Sequence, residues 1–215
     1  MKHRITNGGK AVELFIYDAI GGWLGGITPQ MVAESLKDAG KVETINLRIN
    51  SPGGDVFDGV TIYNLLKRHP AKVQVAIDGL CGSIATIIAM AGDTVRMAGN
   101  GTFMIHDPAG GEWGSASDLR KRADMLDQAR DNILDTYVAK TGGNRDRISQ
   151  LMSDETWMRA SDAYQEGFVD EITDELEMAA CGDLSMFKKV PEHLKSGPKA
   201  NAYRAKIAAM GKRLK

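Results

Sequence analysis

Apolar residues recur at strand spacing in several short stretches of this chain, separated by segments of helical spacing. Val12–Tyr17 is a short apolar run that reads as a strand; Ile45, Leu47 and Ile49, then Val73, Val75 and Ile77, alternate strictly, the period of half-buried strands. After the glycine pairs Gly21-Gly22 and Gly25-Gly26, Thr28 is placed to cap a helix with Pro29 at its first position, ending near Gly40. Ser51-Pro52-Gly53-Gly54 breaks the strand Thr44–Asn50, and Asp55 can cap a helix with Val56, Val60, Tyr63 and Leu66 on one face, closed by Pro70. Asp78–Gly82 then reads as a turn into Ser83–Ala91, a segment apolar nearly all round and therefore a buried helix. Strands Thr94–Met97 and Phe103–His106 flank a turn at Gly99-Asn100-Gly101. A long helix, about Ser117–Lys140, carries Leu119, Ala123, Leu126, Ile133 and Tyr137 near one stripe and stops at Gly142-Gly143. Short helices at Arg145–Met152 and Ser161–Glu166 and a strand at Phe168–Ile172 follow. The order βαβαβαββ predicts an α/β fold with parallel strands joined by right-handed crossovers. Residues 1–177 form one domain in this reading, and 178–215 a basic, flexible appendage with one amphipathic stretch, Asn201–Leu214.

Composition narrows the class. At 215 residues, 43% hydrophobic and 26% charged, the chain has the make-up of a soluble α/β domain with a sizeable core. Its first ten residues lack the apolar stretch of a secretory signal, and the run Ile84–Ala91 is too short to span a bilayer, so no membrane role and a cytoplasmic location are expected. Cys81 and Cys181 are far apart, with no CxxC and no histidine at ligand spacing, which supports neither a zinc site nor a disulfide framework; no metal or cofactor is expected. The net charge of −1 hides an uneven distribution: residues 188–215 hold nine Lys or Arg against Glu192 alone. Such a tail could bind nucleic acid or an acidic protein, serve as a trimmed propeptide, or simply be solvated.

Three places could carry chemistry, because α/β sheets place their sites on loops at strand ends. Ser51-Pro52-Gly53-Gly54 is either a turn or a stretch whose bare N–H groups approach a ligand. Ser83 joins a glycine-flanked turn to a buried helix, where the first N–H groups have no intrahelical partner. It is either an ordinary N-cap or a hydroxyl held in a positive end-field beside an oxyanion-stabilising N–H of Ile84. His106 closes a strand; of the four histidines, His3 and His193 lie in expected flexible ends and His69 precedes a helix-stopping proline. His106 alone is placed to act as a base, the alternative being a satisfied structural residue.

Taken together and in order, Ser51-Pro52-Gly53-Gly54, Gly79-Leu80-Cys81-Gly82-Ser83 and Met104-Ile105-His106-Asp107-Pro108 resemble the ClpP peptidase family. The likeness runs from about Val12 to Ile172 and includes Gly110-Gly111, the long helix and the segment Ala160–Asp170. It implies the ClpP/crotonase-like β-α spiral with a long protruding handle helix, and a serine endopeptidase with Ser83 as nucleophile and His106 as general base. It also implies an oxyanion hole from the backbone N–H groups of Gly54 and Ile84. Counting back from Ala160 puts Glu155 where the family usually has an aspartate, with Asp154 beside it as runner-up for the third member. Cys81-Gly82 stands where small alanines are more usual, and Cys81 reads as a packing residue.

Within the family, Asp55-Val56-Phe57-Asp58-Gly59 and Glu155-Thr156-Trp157 look closer to the ClpP-related prohead proteases of tailed phages than to the housekeeping enzyme. That implies a scaffold or capsid precursor as substrate during head maturation, inside the host cytoplasm. The resemblance further implies a homo-oligomeric ring stacked through the long helix, with the peptide lying near that helix and adding a strand to a sheet edge. Alternatives are a housekeeping ClpP-type subunit working under an ATPase, a crotonase-type acyl-CoA enzyme that needs no serine nucleophile, and an inactive ring or scaffold component.

Overall fold

In the computed structural model, residues 2–6, 10–176 and 184–195 are described. The strands are β1 (Lys2–Thr6), β2 (Ala11–Ile16), β3 (Thr44–Ser51), β4 (Lys72–Gly82), β5 (Thr94–Ala98), β6 (Thr102–Ile105), β7 (Thr156–Arg159) and β8 (Glu171–Thr173). The helices are α1 (Pro29–Ala39), α2 (Val56–Lys67), α3 (Ile84–Ala89), α4 (Ala116–Thr141), α5 (Arg145–Ser153), α6 (Ala160–Gln165) and α7 (Glu192–Lys195). The sheet order is β1-β2-β3-β4-β5-β8, with β6 pairing β4 and β7 pairing β6. Pairs from β2 through β5, and β5 with β8, are parallel; β1–β2 and β6–β7 are antiparallel.

Local chemistry explains most of these boundaries. Thr28 Oγ1 accepts from the Met31 N–H at 3.3 Å with Pro29 opening α1, and Asp55 Oδ1 accepts from the Asp58 N–H at 2.9 Å at the start of α2. Ser115 and Asp118 form a reciprocal capping box at the head of α4, and Gly142, at φ 64°, closes its far end. Ile45, Leu47 and Ile49 of β3 and Val73, Val75 and Ile77 of β4 are buried, their intervening neighbours less so, as the alternation predicts.

Several expectations change. The amino terminus is not simply a loose end: residues 2–6 form β1, with Ile5 opposite Val12. Residues 78–82 are not a turn but the second half of β4. This strand pairs with β5 from Gln74 to Ile77 and with β6 from Leu80 to Gly82, and its register to β3 shifts between Ile49 and Ser51. From Leu80 onward every residue of β4 is buried, because the strand has left the half-exposed part of the sheet. Gly79 serves that passage: a Cβ there would lie 2.8 Å from Asn50 Oδ1, which accepts from the Leu80 N–H at 2.9 Å. The expected strand at Phe168–Ile172 is shifted to Glu171–Thr173, with Phe168 and Val169 buried ahead of it, and β7 is an additional strand.

The α4 stripe is only half used. Of its members Ile133 and Tyr137 are buried, while Leu126 is only partly buried and Leu119 (49%) and Ala123 are exposed, as is Met125 beside them, because the amino-terminal part of the helix runs beyond the body of the protein. Helix α3 is the opposite: all six residues are buried. It is seated against α2 at Gly59, where a Cβ would fall 2.2 Å from Ile84 Cγ1. Among the described residues no helix is long and apolar enough to cross a membrane. The amphipathic stretch Asn201–Leu214 and Cys181 lie outside the described residues.

Candidate active site

The division of β4 between two partners builds the site. Its second half lies beside β6, so Gly82 pairs with Met104, and the Ser83 N–H donates to Met104 O at 2.8 Å. Chain direction reverses at once into α3, which forces Ser83 to φ 53°, ψ −130°, a conformation few non-glycine residues adopt. The Ser83 side chain makes no capping bond to α3. Instead its Oγ lies 2.8 Å from His106 Nε2, at the end of β6. The Ser83 carbonyl accepts from Thr86 Oγ1 at 2.5 Å, and Thr86 Oγ1 is 2.6 Å from the hydroxyl of Tyr137 on α4. A buried chain of hydroxyls therefore ties the strained turn to the long helix.

The glycine loop after β3 runs against this turn. Gly53 (φ 93°) approaches so closely that a Cβ would lie 2.6 Å from Gly82 O and 2.7 Å from Ser83 Cβ. Ser51 Oγ accepts the Gly53 N–H at 3.1 Å, and Ile20 bridges the loop through Ile20 N–Gly53 O (2.8 Å) and Asp55 N–Ile20 O (2.9 Å). Among the described residues the N–H groups of Gly54 and Ile84 donate to no protein acceptor. Cys81, two residues before Ser83, is fully buried in the core.

His106 is held by its neighbour. Asp107 accepts from Arg130 Nε of α4 at 2.7 Å and from Ser153 Oγ of α5 at 3.1 Å, and its N–H donates to Met152 O at 3.2 Å. Burial pushes the imidazole below its ordinary pKa, against the opposing pull of the Glu155 and Asp107 charges, so the ring is neutral at pH 7 and Nε2 can accept a proton.

The two acids are differently placed. Asp154 Oδ2 accepts from Gln150 Nε2 at 3.0 Å along α5. Glu155, at φ 51°, accepts at its carboxylate from Lys189 N (2.6 Å), Lys188 N (3.0 Å) and Trp157 Nε1 (3.3 Å). Burial works to raise the Glu155 pKa, but these N–H groups and the nearby imidazole outweigh it and hold the carboxyl below its usual range. Glu155 and His106 thus interact electrostatically, while the hydrogen bonds at the carboxylate come from the other three donors. Phe187 closes this side, its ring edge-on to His106 at 5.4 Å and to Trp157 at 5.6 Å. Neither Phe187 nor the Lys188 and Lys189 amides had any signal in the sequence, since they sit in a stretch without periodicity. Tyr137 was visible only as part of a stripe. Among the described residues no cluster of three or more His, Cys, Asp or Glu side chains could hold a metal ion.

A hydroxyl at a strained strand-to-helix junction, hydrogen-bonded to a neutral imidazole on the adjacent strand of a parallel α/β sheet, is the arrangement of serine hydrolases. Comparison with known proteins gives the family: the Clp protease family model matches residues 14–176, and the chain belongs to that family of serine-type endopeptidases. It is similar to the ATP-dependent Clp protease proteolytic subunit 1 of Salinibacter ruber, with 27% identity over 72% of this chain and 65% of the relative. It is also similar to the protein of the same name from a Synechococcus species, with 31% identity over 72% of this chain and 78% of the relative. Among solved structures, a point mutant of ClpP1 from Listeria monocytogenes superposes with a TM-score of 0.68 at 25% identity, covering 78% of this chain and 93% of that one. The expected α/β fold of the ClpP type is the fold found.

Proposed function

We propose that the chain is a catalytic subunit of a ClpP-type serine endopeptidase. Ser83 attacks the peptide carbonyl, His106 accepts its proton and passes it to the leaving amine, and water then hydrolyses the acyl-enzyme with His106 as base. The N–H groups of Gly54 and Ile84 receive the oxyanion, the second aided by the amino-terminal end of α3. Glu155 stabilises the imidazolium. The observation that carries this reading is the 2.8 Å contact between Ser83 Oγ and His106 Nε2, made by a serine whose backbone is strained and whose side chain does not cap its helix. The relatives, named as proteolytic subunits of an ATP-dependent protease, support a housekeeping type of subunit acting on protein substrates. The exposed half of α4, with Leu119 and Met125 at its surface, supports assembly of a homo-oligomeric ring through that helix.

A second reading, maturation of a phage scaffold or capsid precursor, rests on the local matches Asp55–Gly59 and Glu155–Trp157 alone; the relatives do not extend to it. Purified protein, sized by light scattering, is to be assayed on short fluorogenic peptides and on a folded substrate with and without a partner unfoldase and ATP. A ring that cleaves peptides alone and folded protein only with ATP supports the first reading. ATP-independent cleavage of a large precursor favours the second, and a monomer inert in every assay refutes both.

A further inference from the structure

We propose that residues 187–189, beyond the region matched by the family model, form a strap that positions the acid and the imidazole of the site, with Phe187 as its anchor. The proposal rests on the assignment of Ser83 and His106 above. Phe187 is 7% exposed while Met186 beside it is 68% exposed, so one ring of this segment is held down, and it is held against His106 and Trp157. Both contacts are edge-on, the favourable geometry for aromatic quadrupoles. The next two residues turn consecutive N–H groups onto the Glu155 carboxylate, and Lys189 Nζ donates to the Asp154 carbonyl.

This pattern fits positioning and not occupation of the site. A segment lying in the substrate's place would bond to Ser83 Oγ or to the N–H groups of Gly54 and Ile84; in this one the Phe187 N–H donates to Leu184 O at 3.1 Å, and the bonds from Lys188 and Lys189 go to Glu155 and Asp154. Two carboxylate oxygens offer about four acceptor positions. The three donors leave capacity on Oε2, which receives only the Lys188 N–H, for the Nδ1–H of His106. Fixing that carboxylate selects the tautomer in which Nε2 faces Ser83 as an acceptor, and Phe187 keeps water from the ring's flank.

The test uses full-length protein and two readouts: the rate of fluorophosphonate labelling of Ser83 across pH, and the NMR titration of the His106 imidazole. Phe187→Ala is expected to slow labelling at neutral pH roughly tenfold to a hundredfold, the scale of a small misplacement of reacting groups. Phe187→Leu is expected to recover most of that loss. The imidazole of Phe187→Ala should titrate closer to the ordinary value, because the burial that lowers it is relieved. Lys189→Pro, which lacks the N–H, should label more slowly than Lys189→Ala, which keeps it. Equal rates within each pair with an unshifted imidazole would overturn the strap, and faster labelling of Phe187→Ala would overturn it in favour of a blocking segment. Wild-type protein that never labels would refute the Ser83 assignment separately, and the imidazole titration would still decide the strap.

Discussion

Replacing Gly53 by alanine sets a methyl group into the close approach between the glycine loop after β3 and the Ser83 turn. The added carbon would stand 2.6 Å from Gly82 O, 2.7 Å from Ser83 Cβ and 3.1 Å from Ile84 N, and the backbone there has φ 93°. Left-handed backbone costs a non-glycine residue about 1–2 kcal/mol, and forcing a methyl group into a filled space costs about 1–3 kcal/mol, together roughly 2–5 kcal/mol. Gly40 supplies the comparison: its backbone (φ 66°, ψ −142°) is also one that side chains rarely adopt, at about 1–3 kcal/mol, but nothing lies within 4 Å of an added Cβ, so Gly40→Ala carries no packing cost. With a urea slope of about 2 kcal/mol per molar, the two variants should differ in unfolding midpoint by about 1 M. Because two of the three clashing atoms belong to Ser83 and Ile84, Gly53→Ala should also lose fluorophosphonate labelling under conditions where it remains folded, whereas Gly40→Ala keeps it. A Gly53→Ala protein that unfolds together with Gly40→Ala and labels at the wild-type rate would refute the close approach of the two loops.

The depressed imidazole pKa implies that His106 stays neutral, and the enzyme active, below the ordinary value of 6.5; the acid limb of kcat/KM for a small peptide should fall there, and a limb above it would contradict the burial argument. Glu155→Gln removes a charge that raises the imidazole pKa, so the limb should move further down while kcat drops roughly a hundredfold or more; a limb moving up would refute the electrostatic coupling. Gly59→Ala should destabilise the fold by about 1–3 kcal/mol, measured by thermal melting, since its methyl would meet Ile84 Cγ1 at 2.2 Å. Arg48 Nε and Nη2 grip Asp78 at 2.8 and 2.6 Å, with the Asp78 side chain 11% exposed. Arg48→Met should cost about 1–3 kcal/mol, discounted for the partial exposure of the arginine, and Asp78→Leu added to it should restore part of the loss; no recovery in urea melts would sink that account.

Where burial follows a simple period, the sequence was readable. Ile45, Leu47 and Ile49 alternate because one face of β3 packs on helices, and Thr28, Pro29 and Asp55 mark helix starts through bonds that are purely local. What could not be read depends on non-local packing. Gly79 and Gly82 look like turn residues, yet β4 runs straight through them, because their missing side chains admit the Asn50 carboxamide and the Pro52 backbone. The upper half of the α4 stripe looks like core and is exposed, since the apolar pattern does not say how far the protein's body extends. The order of motifs pointed to Ser83 and His106, and the structure brings them within hydrogen-bond distance. Glu155 was approachable only by counting from Ala160. The partners that bind its carboxylate lie 33 and 34 residues further along, in a stretch with no pattern to flag them.

The most direct test of the central claim is fluorophosphonate labelling of oligomerised wild-type protein, with the modified residue located by peptide mass spectrometry and the same reaction run on His106→Ala. The account predicts one adduct, on Ser83, whose formation is lost or slowed by orders of magnitude without His106. An adduct elsewhere, or labelling of Ser83 at an unchanged rate in His106→Ala, would contradict it.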